Sequence, residues 1–177
     1  MWDMPVNWVR LALDLDGDAQ ILAPSAPPAG ISLTTLQELG DSESHWHLVY
    51  ELNKTCSADI PGRGEFFTFE EFVPLRFEAP GTRLDGLVLA FDHDTAVGMC
   101  QLTCPPDRRW AFIEMTGVLR AYRGRGLATA MKLRALQAAR SWGFSGSDLP
   151  PPQECGDHHR QSIHWLPRCR LQFVTFT

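Results

Sequence analysis

Between Trp110 and Trp142 the chain changes period once, and that change constrains the fold more than any other feature. Trp110, Phe112, Glu114, Thr116 and Val118 alternate with Ala111, Ile113 and Met115, which is the two-residue repeat of a strand. From Leu127 the repeat is helical, with Leu127, Met131, Ala135, Ala138 and Trp142 on one stripe and Leu133 and Leu136 off it. Gly124 and Gly126 lie between the two periods and permit a tight turn whose amides converge. A strand, a glycine turn and a helix N-terminus together make an anion site, because the first-turn N–H groups have no partners within the helix. Arg123 and Arg125 add positive charge there, so a phosphate or diphosphate is the expected ligand.

Spacing narrows the choice. A Walker loop needs Lys after its last glycine, and Leu127 follows Gly126. A dinucleotide fingerprint needs a third glycine where Thr129 stands, and its first glycine directly after the strand. The pattern present is Arg-x-x-Gly-x-Ala, as Arg123, Gly126 and Ala128 within TGVLRAYRGRGLA, followed by the helical AMKLRALQAARSWG. This resembles the acetyl-CoA loop of the GNAT superfamily of N-acetyltransferases, without gaps from Thr116 to Trp142.

At 177 residues and 44% hydrophobic, the chain suits one domain with a real core. A net charge of −5 argues against nucleic acid as partner. No apolar run is long enough to span a membrane and no signal peptide opens the chain, so a cytoplasmic protein is expected. Five irregularly spaced cysteines read as reduced thiols.

Residues 1–22 read as a hairpin appendage around Asp16-Gly17, and residues 23–30, APSAPPAG, as a linker. DLDGD resembles the first motif of haloacid-dehalogenase-type phosphatases, but that pattern needs Thr where Asp18 stands. The catalytic domain is expected over residues 31–143. GISLTTLQEL reads as its first strand. Asp41 or Ser42 caps a helix to about Asn53, and Thr68 caps a second one broken by Pro74. Leu87–Phe91 and Ala96–Leu102 pair as a hairpin over DHDT. The resemblance implies an α+β fold, a mixed and mostly antiparallel central sheet flanked by helices in three layers.

What it implies for the site follows residue by residue. Glu114, nine residues before Arg123, stands where many members carry a general base that takes the amine proton directly or through water. On the strand face of Thr116 and Val118 it should point into the cleft or be buried, burial raising its pKa, or else pair with a core arginine. Backbone groups of Thr116, Gly117 and Val118 would bond the pantetheine arm. The turn and first helical residues, Arg123, Gly124, Arg125, Gly126, Leu127, Ala128 and Thr129, would hold the diphosphate. The implied reaction moves an acetyl group from acetyl-CoA to a small amine or α-amino acceptor, with no metal. Members often use a tyrosine after the next strand as general acid. The chain has only Tyr50 and Tyr122, neither of them there.

Residues 144–177 leave the family pattern: PPP interrupts them and no helical stripe follows. Read one nucleotide later, the codons of Asp148, Glu154 and Gln161 can give Thr, Asn and Asn, and Trp165-Leu166 can give Gly-Phe. Those are the family's residues at its own spacings of six, seven and four. The tail is therefore expected to be out of frame, in a chain whose 14 Arg against 2 Lys suggests GC-rich coding. Cys155, His158, His159, His164 and Cys169 are zinc-type ligands at the spacing of no standard finger. A displaced tail would leave a sheet edge open to LQFVTFT or to a second copy as a homodimer. It would also leave an alternative function, coenzyme binding with little or no catalysis.

Overall fold

Three side-chain caps set where the first three helices begin. The computed structural model describes residues 26–60, 64–104 and 111–142, with the backbone of β1 (Val9–Arg10) and β6 (Val174–Thr175). Strand β2 is Ile31–Thr35. It stops there because Thr35 and Glu38 form a capping box: the Thr35 amide donates to Glu38 (2.8 Å) and the Glu38 amide donates to Thr35 Oγ1 (3.1 Å). The second half of GISLTTLQEL is thus the short helix α1, Leu36–Leu39, and not strand. Ser42 caps α2 (Glu43–Ser57), while Asp41 accepts from the Trp46 indole (2.7 Å). That helix outruns Asn53 by a turn, held by the Ser57-to-Asn53 bond (2.9 Å). Thr68 and Glu71 box the start of α3, Phe69–Arg76. Pro74 lies inside α3 and only two residues from its end, too late to break it.

Strands β3 (Thr82–Asp92) and β4 (Thr95–Thr103) form the expected hairpin, with His93 left-handed at φ 51° in the two-residue turn. Strand β5 is Phe112–Val118. A short 3₁₀ turn (Arg120–Tyr122) leads from it to α4, Leu127–Ser141. The sheet order is β2-β3-β4-β5, antiparallel throughout. Helix α4 covers one face over Val88, Ala90, Cys100 and Leu102. Helices α1 to α3 cover the other over Leu87, Leu89 and Met99. This is the expected α+β, GNAT-like three-layer arrangement. On α4 the buried stripe is Leu127, Met131, Ala135 and Ala139, and Ala138 is only half-buried. Leu136, off that stripe, is buried as well.

One register change matters for the site. Gln101 pairs with Met115 but Leu102 pairs with Ile113, so Glu114 is an extra residue, a β-bulge. The strict alternation expected from the sequence therefore fails at this point. Thr116 and Val118 belong to the α4 face, through Cys100 and the core beneath α4. Glu114 instead meets α3 on the opposite face.

The hairpin at Asp16-Gly17, the linker up to Ser25 and the tail from residue 143 lie outside the described residues, as does the cysteine-histidine cluster. Of the tail, Val174–Thr175 pairs antiparallel with Val9–Arg10 in a separate two-stranded sheet, not along β5.

Candidate coenzyme and acceptor site

The glycine turn is left-handed at two positions and opens onto a groove. Gly124 and Gly126 have φ of 73° and 81°, left-handed values that an L side chain adopts only with strain. Gly126 is the N-cap of α4 and brings no side-chain cap, so the first-turn amides of α4 are left facing outward. In front of them lies an open groove of about 280 Å³ lined by Thr116, Val118, Tyr122, Arg123, Gly124, Gly126, Leu127 and Ala128. Seven of those eight are residues the sequence pattern singles out. The groove also runs back along β5 from the turn, past Val118 to Thr116.

The other three expected residues stand apart. Gly117 faces α2: a Cβ there would come within 2.5 Å of Cys56 Cβ, so glycine lets β5 and α2 touch. Thr129 is exposed and outside the lining. The Arg125 guanidinium lies 5.4 Å from the Tyr122 ring centre.

Sequence reading missed what braces the turn. Arg123 donates through Nε to the Val118 carbonyl (2.9 Å) and through Nη2 to Asp59, so its charge holds the loop in shape. Asp59 also takes Arg120, whose Nε lies 3.0 Å from Oδ1. Hydrogen bonds from Arg120 first, then Arg123, hold the Asp59 carboxyl well below the usual carboxylate range. Tyr122 donates to Asp92 (2.9 Å), which raises the phenol's pKa and ties the turn to the β3–β4 hairpin. Asp59 is 61 residues from Arg120, a separation that no local pattern reveals.

Glu114 pairs with Arg76, the last residue of α3, and both side chains are 22% exposed. Of the outcomes open from sequence, pairing with an arginine is the one observed. The Arg76 carbonyl accepts from Gln101 Nε2 (3.0 Å) and Thr82 Oγ1 (3.2 Å), which fixes the end of α3 over the bulge. Among the described residues, Arg76 Nε and Gln101 Oε1 are buried without a hydrogen-bond partner. Cys56 and Cys100 are buried thiols, pushed up to about 11 by desolvation, and so unsuited as nucleophiles. Among the described residues no cluster could hold a metal ion, and no helix is long and apolar enough to cross a membrane.

Residues 46–169 match the model of the acetyltransferase (GNAT) family. No curated protein matches the sequence. In fold the chain is similar to a GCN5-related N-acetyltransferase from Sphaerobacter thermophilus (24% identity, TM-score 0.59, 79% of this chain and 42% of that one). It is also similar to a tandem GNAT protein from the clavulanic acid biosynthesis pathway (23%, 0.54, 80% and 42%). A third neighbour is a GNAT family acetyltransferase from Brucella melitensis in complex with acetyl-CoA (12%, 0.50, 64% and 71%). The chain thus spans 42% of the length of the first two.

Proposed function

The chain belongs to the acetyltransferase (GNAT) family, and on that premise we propose that it transfers an acetyl group from acetyl-CoA to a primary amine by direct attack. The observation that carries this is the uncapped, left-handed glycine turn opening on a groove along β5. Acetyl-CoA supplies an activated acyl group with a thiol as its leaving group. The amides at Gly124 to Thr129 hold its diphosphate, and main-chain groups of Thr116 to Val118 orient the arm. The Brucella melitensis protein's complex with acetyl-CoA supports this ligand in a related fold.

Glu114 is the base. It lies two residues from Thr116, about 7 Å along the strand, but on the α3 face of β5, so the acceptor is taken to approach from that side and the coenzyme from the α4 side that carries Thr116 and Val118. It takes the proton from the acceptor's ammonium, directly or through water, as the amide C–N bond forms and the thioester C–S bond breaks. The protein works in the cytoplasm, where acetyl-CoA is made and used. Thiol release measured with acetyl-CoA, with and without a panel of primary amines, tests the assignment. Amine-dependent release supports it, and binding of CoA with no release on any amine favours the second reading. That reading, coenzyme binding without catalysis, rests on β5 being the last strand of the described sheet. An out-of-frame tail would leave the acceptor side built by α2 and α3 alone, and an open β5 edge would suit a homodimer.

A further inference from the structure

We propose that Arg125 reads the 3′-phosphate on the coenzyme's ribose, with Tyr122 and Asp92 as the residues that position it. The inference rests on the acetyl-CoA reading for its ligand. It adds a preference between two forms of that ligand, which is measurable without any turnover.

Three arginines stand on or beside the turn, and they are not equivalent. Arg120 and Arg123 both bond Asp59, and Arg123 also donates to the Val118 carbonyl (2.9 Å). One carboxylate therefore offsets much of their charge and ties both side chains to the protein. Arg125 has no carboxylate partner among the described residues. It is exposed, and its guanidinium stands over the Tyr122 ring, 5.4 Å from the centre. A guanidinium that rests on a ring is held by its face, and its N–H edges stay open to an oxyanion.

Two contacts fix where that cation stands. Tyr122 lines the groove and donates its hydroxyl to Asp92 (2.9 Å), the last residue of β3 and 30 positions away. The ring cannot swing without giving up that bond, so the platform under Arg125 is stationary. Gly124 and Gly126, on either side of Arg125, both line the groove. The cation is thus set at the turn end of the groove, and Thr116 marks the other end.

The chemistry of the coenzyme says which group arrives there. Its pantetheine arm leaves the diphosphate along β5 toward Thr116, so its nucleotide leaves in the other direction, past the side chains of the turn. The α4 amides answer the diphosphate. The 3′-phosphate is a monoester with a charge of about −1.5 to −2 near pH 7, and it remains for a side chain to match. Arginine takes such a group through two parallel N–H bonds.

The experiment uses the full chain and follows binding by calorimetry with CoA and dephospho-CoA, which differ only in the 3′-phosphate. CoA should bind about tenfold tighter at low ionic strength, and the ratio should fall as NaCl is added, because exposed charges are screened. Arg125→Gln should bring the ratio close to one, and Arg125→Glu should invert it. Arg125 is exposed, so neither substitution reaches the core. Tyr122→Leu keeps the charge and removes the platform, and it should give an intermediate ratio. A merely structural role for Tyr122 would weaken both forms alike and leave the ratio as it was. Equal binding of the two forms, or a ratio that survives Arg125→Gln, overturns the proposal. Thiol release from acetyl-CoA separates the two readings. Amine-dependent release with equal binding of the two forms overturns the role of Arg125 and leaves acetyl transfer standing. An Arg125-dependent preference for CoA with no release on any amine overturns acetyl transfer and leaves the role of Arg125 standing.

Discussion

The proposed coenzyme side and the proposed acceptor side of this molecule are built on different principles. The first is local: the groove and turn come from residues 116 to 128, and the groups proposed to meet the ligand are largely main-chain amides. The acceptor side is assembled from afar, with Arg76 reaching Glu114 across 38 positions and Gln101 reaching Arg76 across 25. Main-chain sites tolerate many side chains but few backbone changes, and side-chain sites do the reverse. Asp59 joins the two, standing just past α2 while bonding the arginines of the turn.

That contrast can be broken at several points. The largest effect is expected from Glu114→Gln, which should lower turnover by roughly 100-fold or more while coenzyme affinity stays within about twofold, because no main-chain group of the groove is touched. Unchanged turnover in a steady-state assay would reduce Glu114 to a structural partner of Arg76. Gly117→Val comes next. Its Cβ would meet Cys56, and both neighbours are main elements, so we expect a loss of roughly 1–3 kcal/mol in urea unfolding. Gly126→Ala should weaken CoA binding about tenfold, since forcing alanine to φ 81° costs roughly 1–2 kcal/mol. Calorimetry checks this, and circular dichroism should be unaltered.

The smallest effect concerns Asp59, whose carboxyl is held below its ordinary value in the folded state. A depressed carboxyl stabilises the fold above the unfolded-state value, about 4, and loses that contribution as pH falls through the folded value. The thermal midpoint of the wild type should therefore exceed that of Asp59→Asn at pH 6, and the gap should begin to close only below about pH 4 and vanish as the pH reaches the depressed folded-state value. A gap that is constant with pH would mean that the arginines bond the asparagine equally well. The tail offers a separate check. The coding sequence, shifted by one base near codons 144 to 148, should yield Thr or Ile at 148 and Gly-Phe at 165–166, and failure to do so ends the frame argument.

The capping signals at Ser42 and Thr68 were legible because a cap is a contact across three residues, within the reach of a local pattern. Thr35 and Glu38 form the same kind of cap, yet alternation in GISLTTLQEL masked it. The Glu114 bulge left no trace in the alternation, since an extra residue is defined only by the neighbouring strand.

By itself the sequence determined the glycine turn and most of the helix starts, because periodicity, capping and left-handed glycine all act within a few residues, and the family and its layered fold followed from the resemblance carried by TGVLRAYRGRGLA. Only tertiary structure decided which face Glu114 takes, which arginine it pairs with, and what Arg123 is occupied with. Those contacts join residues tens of positions apart, and distance in space is the one quantity a linear pattern does not carry.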